Sequence, residues 1–199
     1  MRTYTGGRQM YFPSNMNFQY FFFDTYPGYF LQVLPIALLA GFIYAAYQFR
    51  RKKPTNIGKI VPASLFICYV IGLLCLTLFE KIIGAVYYYL FYHQPSGRTF
   101  YWFTFEYNFI PDFFLHFNAE NMGNILLYLP FGILYPLFRE NSSWKRTTLV
   151  GIVISVGIEL LQPMFGRSFD MNDIILNGIG IVISTTFFYF LKSVLKRKR

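Results

Sequence analysis

Five apolar runs, each about as long as a bilayer is thick, divide this sequence, and its basic residues gather where the runs end. A helix needs about 20 apolar residues to cross the ~30 Å of hydrocarbon. Only helices and closed barrels can satisfy their backbone polar groups there. The runs lie near 29–49, 60–79, 121–138, 147–164 and 172–192. They predict an all-α, polytopic membrane protein with about five transmembrane helices. Apolar residues make up 55% of the chain and charged residues only 14%. A chain of 199 residues has room for one such domain, over 29–199, behind an N-terminal arm over 1–28, and none for a separate catalytic module. The first residues lack the basic, apolar and small-residue succession of a cleaved signal peptide, so none is expected.

The net charge of +9 does not point to nucleic acid. The positive residues form clumps at the ends of apolar runs, the pattern that the positive-inside rule produces. Arg50, Arg51, Lys52, Lys53 and Lys59 follow the first run. Arg139, Lys145 and Arg146 follow the third, and Lys192, Lys196, Arg197, Lys198 and Arg199 follow the fifth. These are 13 of the 18 basic residues, and of the nine acids only Glu140 joins them. The N-terminus is therefore expected outside and the C-terminus in the cytoplasm.

Several local features carry expectations of their own. The arm is polar, then aromatic, and is broken by Pro13, Pro27 and Gly28, which suggests an irregular interfacial segment. The stretch 80–120 is too polar to span and unusually aromatic (VYYYLFYH, then TFYWFTFEYNFIPDFFLHF). It is expected to stay on the outer side, flat at the interface or folded back partway. The second helix has enough apolar residues to run on to Tyr92. Pro130 with Gly132 predicts a break or kink in the third. Gly151 with Ser155, and Gly180 with Ser184, are small pairs suited to close helix contact. Cys68 and Cys75 share a helical face, too far apart along it for a disulfide, and read as packing residues. His93 and His116 have no cysteine or acid at ligand spacing and read as interfacial.

The chemistry gathers in 157–180, GIELLQPMFGRSFDMNDIILNGIG. Glu159 and Gln162 are three apart and share a helical face, as do Asp173 and Asn177, four apart. Arg167 and Asp170 lie on the turn between. Topology brings Asn121 and Asn124, at the start of the third helix, to the same outer end. Glu159 is about five residues below its helix end, roughly 7 Å deep at the α-helical rise. A charge there costs about 2–3 kcal/mol on insertion scales unless paired or wetted. Arg167, whose planar fork suits a carboxylate or a phosphate, is the expected partner.

Three blocks of this half resemble the VanZ-like family: YNFIP at 107–111, ENMGNILLYLPFG at 120–132, and IELLQ…GRSFDMNDIILNGIG over 158–180. Asn108, Asn121, Asn124, Glu159, Gln162, Arg167, Asp170, Asp173 and Asn177 match that family's polar positions. Pro163, directly after Gln162, departs from the pattern and leaves the exit of the fourth helix open. The resemblance implies a multi-pass protein of the bacterial cell membrane, in a Gram-positive envelope, linked to resistance to teicoplanin, a glycopeptide with a lipid tail.

Two functions fit these residues. In the first, the outward cluster binds an amphiphile, either a lipoglycopeptide or a lipid-linked wall precursor. Arg167 meets its phosphate or carboxylate, the amides hydrogen-bond its head, the rings of 101–117 receive its acyl or sugar part, and no cofactor is needed. In the second, the chain is an integral-membrane enzyme acting on a lipid phosphate or lipid-linked sugar. There Glu159, Asp170 and Asp173 hold Mg²⁺ through carboxylate oxygens, or one of them is a general base. The first takes precedence, because no nucleophile motif, metal signature or phosphate-cradling glycine loop is present.

The topology is open to thiol labelling. With Cys68 and Cys75 replaced, Ser14→Cys and Ser96→Cys should react with an impermeant reagent from outside, and Ser142→Cys only from inside. Labelling of position 142 from outside would overturn the orientation.

Overall fold

The computed structural model describes residues 17–51, 56–97, 101–104, 106–115 and 117–197. The expectations for Pro13, Lys52, Lys53, His116, Lys198 and Arg199 fall outside the described residues. Among the described residues the chain forms seven α-helices and a two-residue parallel ladder. They are α1 (Phe18–Asp24), α2 (Tyr26–Arg50), α3 (Ile57–Thr77), α4 (Glu80–Tyr92), β1 (Tyr107–Asn108), α5 (Ala119–Phe138), α6 (Trp144–Leu161), β2 (Phe169–Asp170) and α7 (Met171–Arg197). Five helices are long and apolar enough to cross a membrane: α2, α3, α5, α7, and α6 with the 3-10 turn that prolongs it to Phe165. This is an all-α, polytopic membrane protein.

Capping side chains set many of the helix starts. Asn17 accepts from the Tyr20 N–H at 2.8 Å to open α1, and Thr25 accepts from the Gly28 N–H at 3.2 Å to open α2. Asn118 and Asn121 form a reciprocal capping box on α5. Ser143 opens α6. The arm is therefore ordered where it was expected to be irregular: Phe18–Asp24 is helical. The Gln32 side chain, 1% exposed, ties it back by donating to the Phe22 carbonyl at 2.5 Å.

The second span does not run on to Tyr92. It ends at Thr77, and α4 starts afresh at Glu80. The reason lies in packing. The rings of Tyr87, Tyr88 and Phe91 on α4 meet Phe22 and Phe23 of α1 at centroid distances of 5.3–5.6 Å across the pairs Phe22–Tyr87, Phe23–Tyr88 and Phe22–Phe91. That contact needs an elbow after α3. In α5, where a break or kink was expected, there is no break: the helix stays continuous through Pro130 and Pro136. Pro163 has a plain role: it lies in the first turn of the 3-10 segment Gln162–Phe165, which closes at Gly166 with φ 74°.

The core centres on α5. Tyr128 and Phe131 are fully buried there, packed with Leu73 of α3 and Ile181 of α7. Phe66 of α3 stacks on Phe138 at 4.8 Å. The tightest contact is between α5 and α7. A Cβ added at Gly180 would strike the Ile125 carbonyl, and one at Gly132 would strike Ser184 Oγ and the Thr185 backbone. Without a hydrophobic force between helices in lipid, such close backbone approach supplies the packing. Cys68 and Cys75 are both free thiols on α3, as their spacing suggested.

Gly180→Val should therefore damage folding, at a cost of about 1–3 kcal/mol for overpacking. Gly178→Ala, two residues away with nothing near its Cβ, should be neutral or stabilising. Thermal unfolding of both in detergent checks this; equal melting temperatures would refute the close contact.

Candidate functional site

The helices alternate in direction, so the chain has two chemically distinct ends. At the end where α5 and α7 begin and α6 finishes, a cavity of about 250 Å³ opens among polar side chains. Asn118, Glu120 and Asn121 line it from the start of α5, and Asn172 and Asp173 from the start of α7. Gln162, Arg167, Ser168 and Asp170 come from the turn after α6, and Asn108 and Asp112 from the aromatic segment.

The aromatic segment reaches the cavity because it is strapped to that turn. Tyr107 and Asn108 pair in parallel with Phe169 and Asp170, and the Phe169 N–H donates to the Glu106 carbonyl at 3.0 Å. Thr104 donates its N–H to the Pro163 carbonyl at 2.8 Å. Asn172, 7% exposed, is the clasp. Its carbonyl oxygen accepts from the Asp112 and Phe113 N–H groups at 2.9 and 3.2 Å, and its amide donates to Asp112 Oδ1 at 2.8 Å. Asp170 accepts from Asn108 Nδ2 at 3.3 Å and from the Asn172 N–H at 2.8 Å. The strap leaves large rings beside the cavity uncovered: Trp102, Tyr107, Phe109 and Phe114 are each at least half exposed.

Six of the nine residues singled out by sequence line the cavity: Asn108, Asn121, Gln162, Arg167, Asp170 and Asp173. The other three stand behind it. Asn124 donates to Asp173 Oδ1. Asn177, 2% exposed, donates to Ser155 Oγ of α6 at 3.1 Å. Glu159, also 2% exposed, accepts from Gln162 Nε2 at 2.8 Å through Oε1, while its Oε2 has no hydrogen-bond partner among the described residues.

Arg167 does not pair with Glu159 as expected. Past Gly166 the chain turns toward the elbow between α3 and α4. There Arg167 Nη1 stands 3.7 Å from Glu80 and 3.5 Å from the Leu76 carbonyl. Lys81 reinforces the joint by donating to the Gly166 carbonyl at 2.5 Å. Among the described residues Arg167 is the only guanidinium in the lining, and it is thus already engaged, while four acids, Asp112, Glu120, Asp170 and Asp173, share the same lining. Among the described residues, no three His, Cys, Asp or Glu side chains are grouped to hold a metal ion. Glu159, Asp170 and Asp173 do not converge on one point.

The model of the VanZ/LLP1 family matches residues 66–192. The chain belongs to this family. No curated protein and no solved structure matches it. The VanZ/LLP1 region begins within α3 and ends within α7, so it contains every residue of the cavity and leaves out α1 and α2.

Sequence reasoning missed Asp112, Asn172 and Glu80. Asn172 sits inside the DMND tetrapeptide but at no helical spacing from the other polar residues, and Asp112 directly follows the YNFIP block. Their partners lie 60 residues away, and Glu80 is further still from Arg167. Density of polar residues was the available signal; pairing was not.

Asn172→Ala should release the strap. It removes three hydrogen bonds, each worth about 0.5–1.5 kcal/mol net, and leaves the N–H of the half-buried Phe113 without its acceptor. Hydrogen exchange should accelerate at Asp112 and Phe113 while α5–α7 stay protected. Unchanged exchange there would refute the clasp.

Proposed function

We propose that this VanZ/LLP1 protein sits in a bacterial cell membrane and binds the head of an amphiphile in its polar cavity, and so contributes to resistance against lipid-tailed glycopeptides of the teicoplanin kind. The observation that carries the reading is the adjacency of two surfaces: a cavity walled by amides and acids, and a belt of exposed rings strapped beside it. One suits hydroxyl and peptide groups; the other suits an acyl chain or the face of a sugar. The basic loops and tail lie at the opposite end of the bundle, so the positive-inside rule turns the cavity outward, toward the wall.

The lining also ranks the two amphiphiles. A lipid-linked wall precursor is joined to its lipid through phosphate, which would meet four acids and a guanidinium held by Glu80. A neutral or amine-bearing glycopeptide head meets no such repulsion. At about 250 Å³, the cavity is too small for a whole glycopeptide and takes only part of its head. Most of the ligand would stay outside, against the rings. Glu159 acts through Gln162: their hydrogen bond sets the amide that forms part of the cavity lining.

Expression in a sensitive Gram-positive host tests the reading. Wild type should protect against the lipid-tailed drug more than against a tailless relative. Asp173→Asn keeps side-chain shape and removes a charge from the lining, Glu159→Leu removes the acceptor that holds Gln162, and both should lose most of that protection at equal membrane abundance. Wild-type protection by both well-expressed variants would sink the proposal.

A further inference from the structure

The opposite end of the bundle holds a second cavity, larger at about 440 Å³, with inverted charge. It lies where α3 begins, α5 ends and α6 begins, and its walls include Lys59, Arg139, Glu140 and Arg146. Lys59 and Glu140 satisfy each other at 3.1 Å. The guanidinium groups of Arg139 and Arg146 have no hydrogen-bond or ion-pair partner among the described residues. Two neighbouring cations at this end are otherwise occupied: Arg51 lies over the Tyr47 ring at 5.6 Å and Lys192 over Tyr189 at 5.8 Å. Two unpaired guanidinium forks facing one cavity form an acceptor for a phosphate, because the planar fork pairs bidentately with phosphate oxygens.

The rest of the wall is Asn141 and an apolar part. Leu137 and Phe138 form it, and Leu137 continues a stripe on α5 with Ile133 and Leu126, spaced four and seven residues apart and all exposed. Such spacing lies along one helix face. The stripe leads from the cavity along the hydrocarbon-facing surface of the span. A ligand with an anionic head and an acyl tail can therefore place its phosphate between Arg139 and Arg146 and its chain along Leu137 and Ile133.

We infer that this cavity is a binding site for the phosphate headgroup of an anionic phospholipid, independent of the polar cavity at the other end. The chemistry alone would also accept a soluble phosphate, but the apolar stripe is of use only to a lipid. Basic residues held near a bilayer surface each favour anionic lipid severalfold, so the two arginines should give a preference of about tenfold or more over a zwitterionic lipid of the same chains.

Thermal unfolding of the full chain in detergent, titrated with phosphatidylglycerol, phosphatidylcholine, glycerol phosphate or inorganic phosphate, measures this. The account requires phosphatidylglycerol to stabilise at about tenfold lower concentration than phosphatidylcholine, and the two soluble phosphates to have little effect over that range. Arg139→Gln with Arg146→Gln should abolish the preference. Lys145→Gln with Lys196→Gln, which removes two positive charges from the same end but not from the cavity, should keep it. Arg139→Lys with Arg146→Lys should recover only part. The inference is overturned if the two lipids stabilise equally, if soluble phosphate acts at the lipid's concentration, or if the Lys145/Lys196 variant loses the preference as fully as the arginine variant does.

Discussion

The close approach of α5 and α7 governs where the polar chemistry of this protein ends up. Gly180 on one helix faces the Ile125 carbonyl on the other, and Gly132 faces Ser184 and Thr185. Any larger side chain at either glycine would push the backbones apart. Toward the polar end of the same seam, Asn177 and Asp173 lie three and seven residues before Gly180, on the same face of α7. Asn124 immediately precedes Ile125 on α5 and reaches Asp173 directly. Widening the seam would leave Asp173 without that bond and enlarge the cavity that it lines.

In hydrocarbon surroundings, polar groups collect where they can pair or meet water. Here they pair mainly across long stretches of chain. Asn172 holds the aromatic strap, Asp170 holds Asn108, and Glu80 holds Arg167. These bonds build walls around the cavity and leave its acids open to it. The strap also fixes where the exposed rings stand, so one set of hydrogen bonds positions both the polar and the aromatic surface.

The five spans were legible because hydropathy over 20 residues is a collective signal that single residues cannot hide. The start of α2 was misplaced by three residues, since Pro27 is tolerated in a first turn that Thr25 caps. The elbow at Thr77–Glu80 falls within two residues of the end of the second run at 79, but nothing in Leu78 and Phe79 ruled out a helix that continued to Tyr92; rings of α1 pack on α4 beyond the elbow. The polar cluster was legible as a cluster, from six lining residues that share an end of the bundle. Its pairing was not. The direction taken after Gly166 decides whether Arg167 meets Glu159 or Glu80, and one left-handed residue sets that direction without any mark in the spacing of charges.

The central claim is that the polar cavity and its aromatic rim together bind an amphiphile. Calorimetric titration of the purified chain in nanodiscs, with a lipid-tailed glycopeptide and with the same molecule lacking its tail, tests it most directly. The account predicts saturable one-to-one binding of the tailed form, weaker binding of the tailless form, and loss of about tenfold or more in affinity, near 1.4 kcal/mol, on Asp173→Asn. Binding that is unsaturable, as in simple partition into lipid, or that is unchanged by Asp173→Asn, would contradict it.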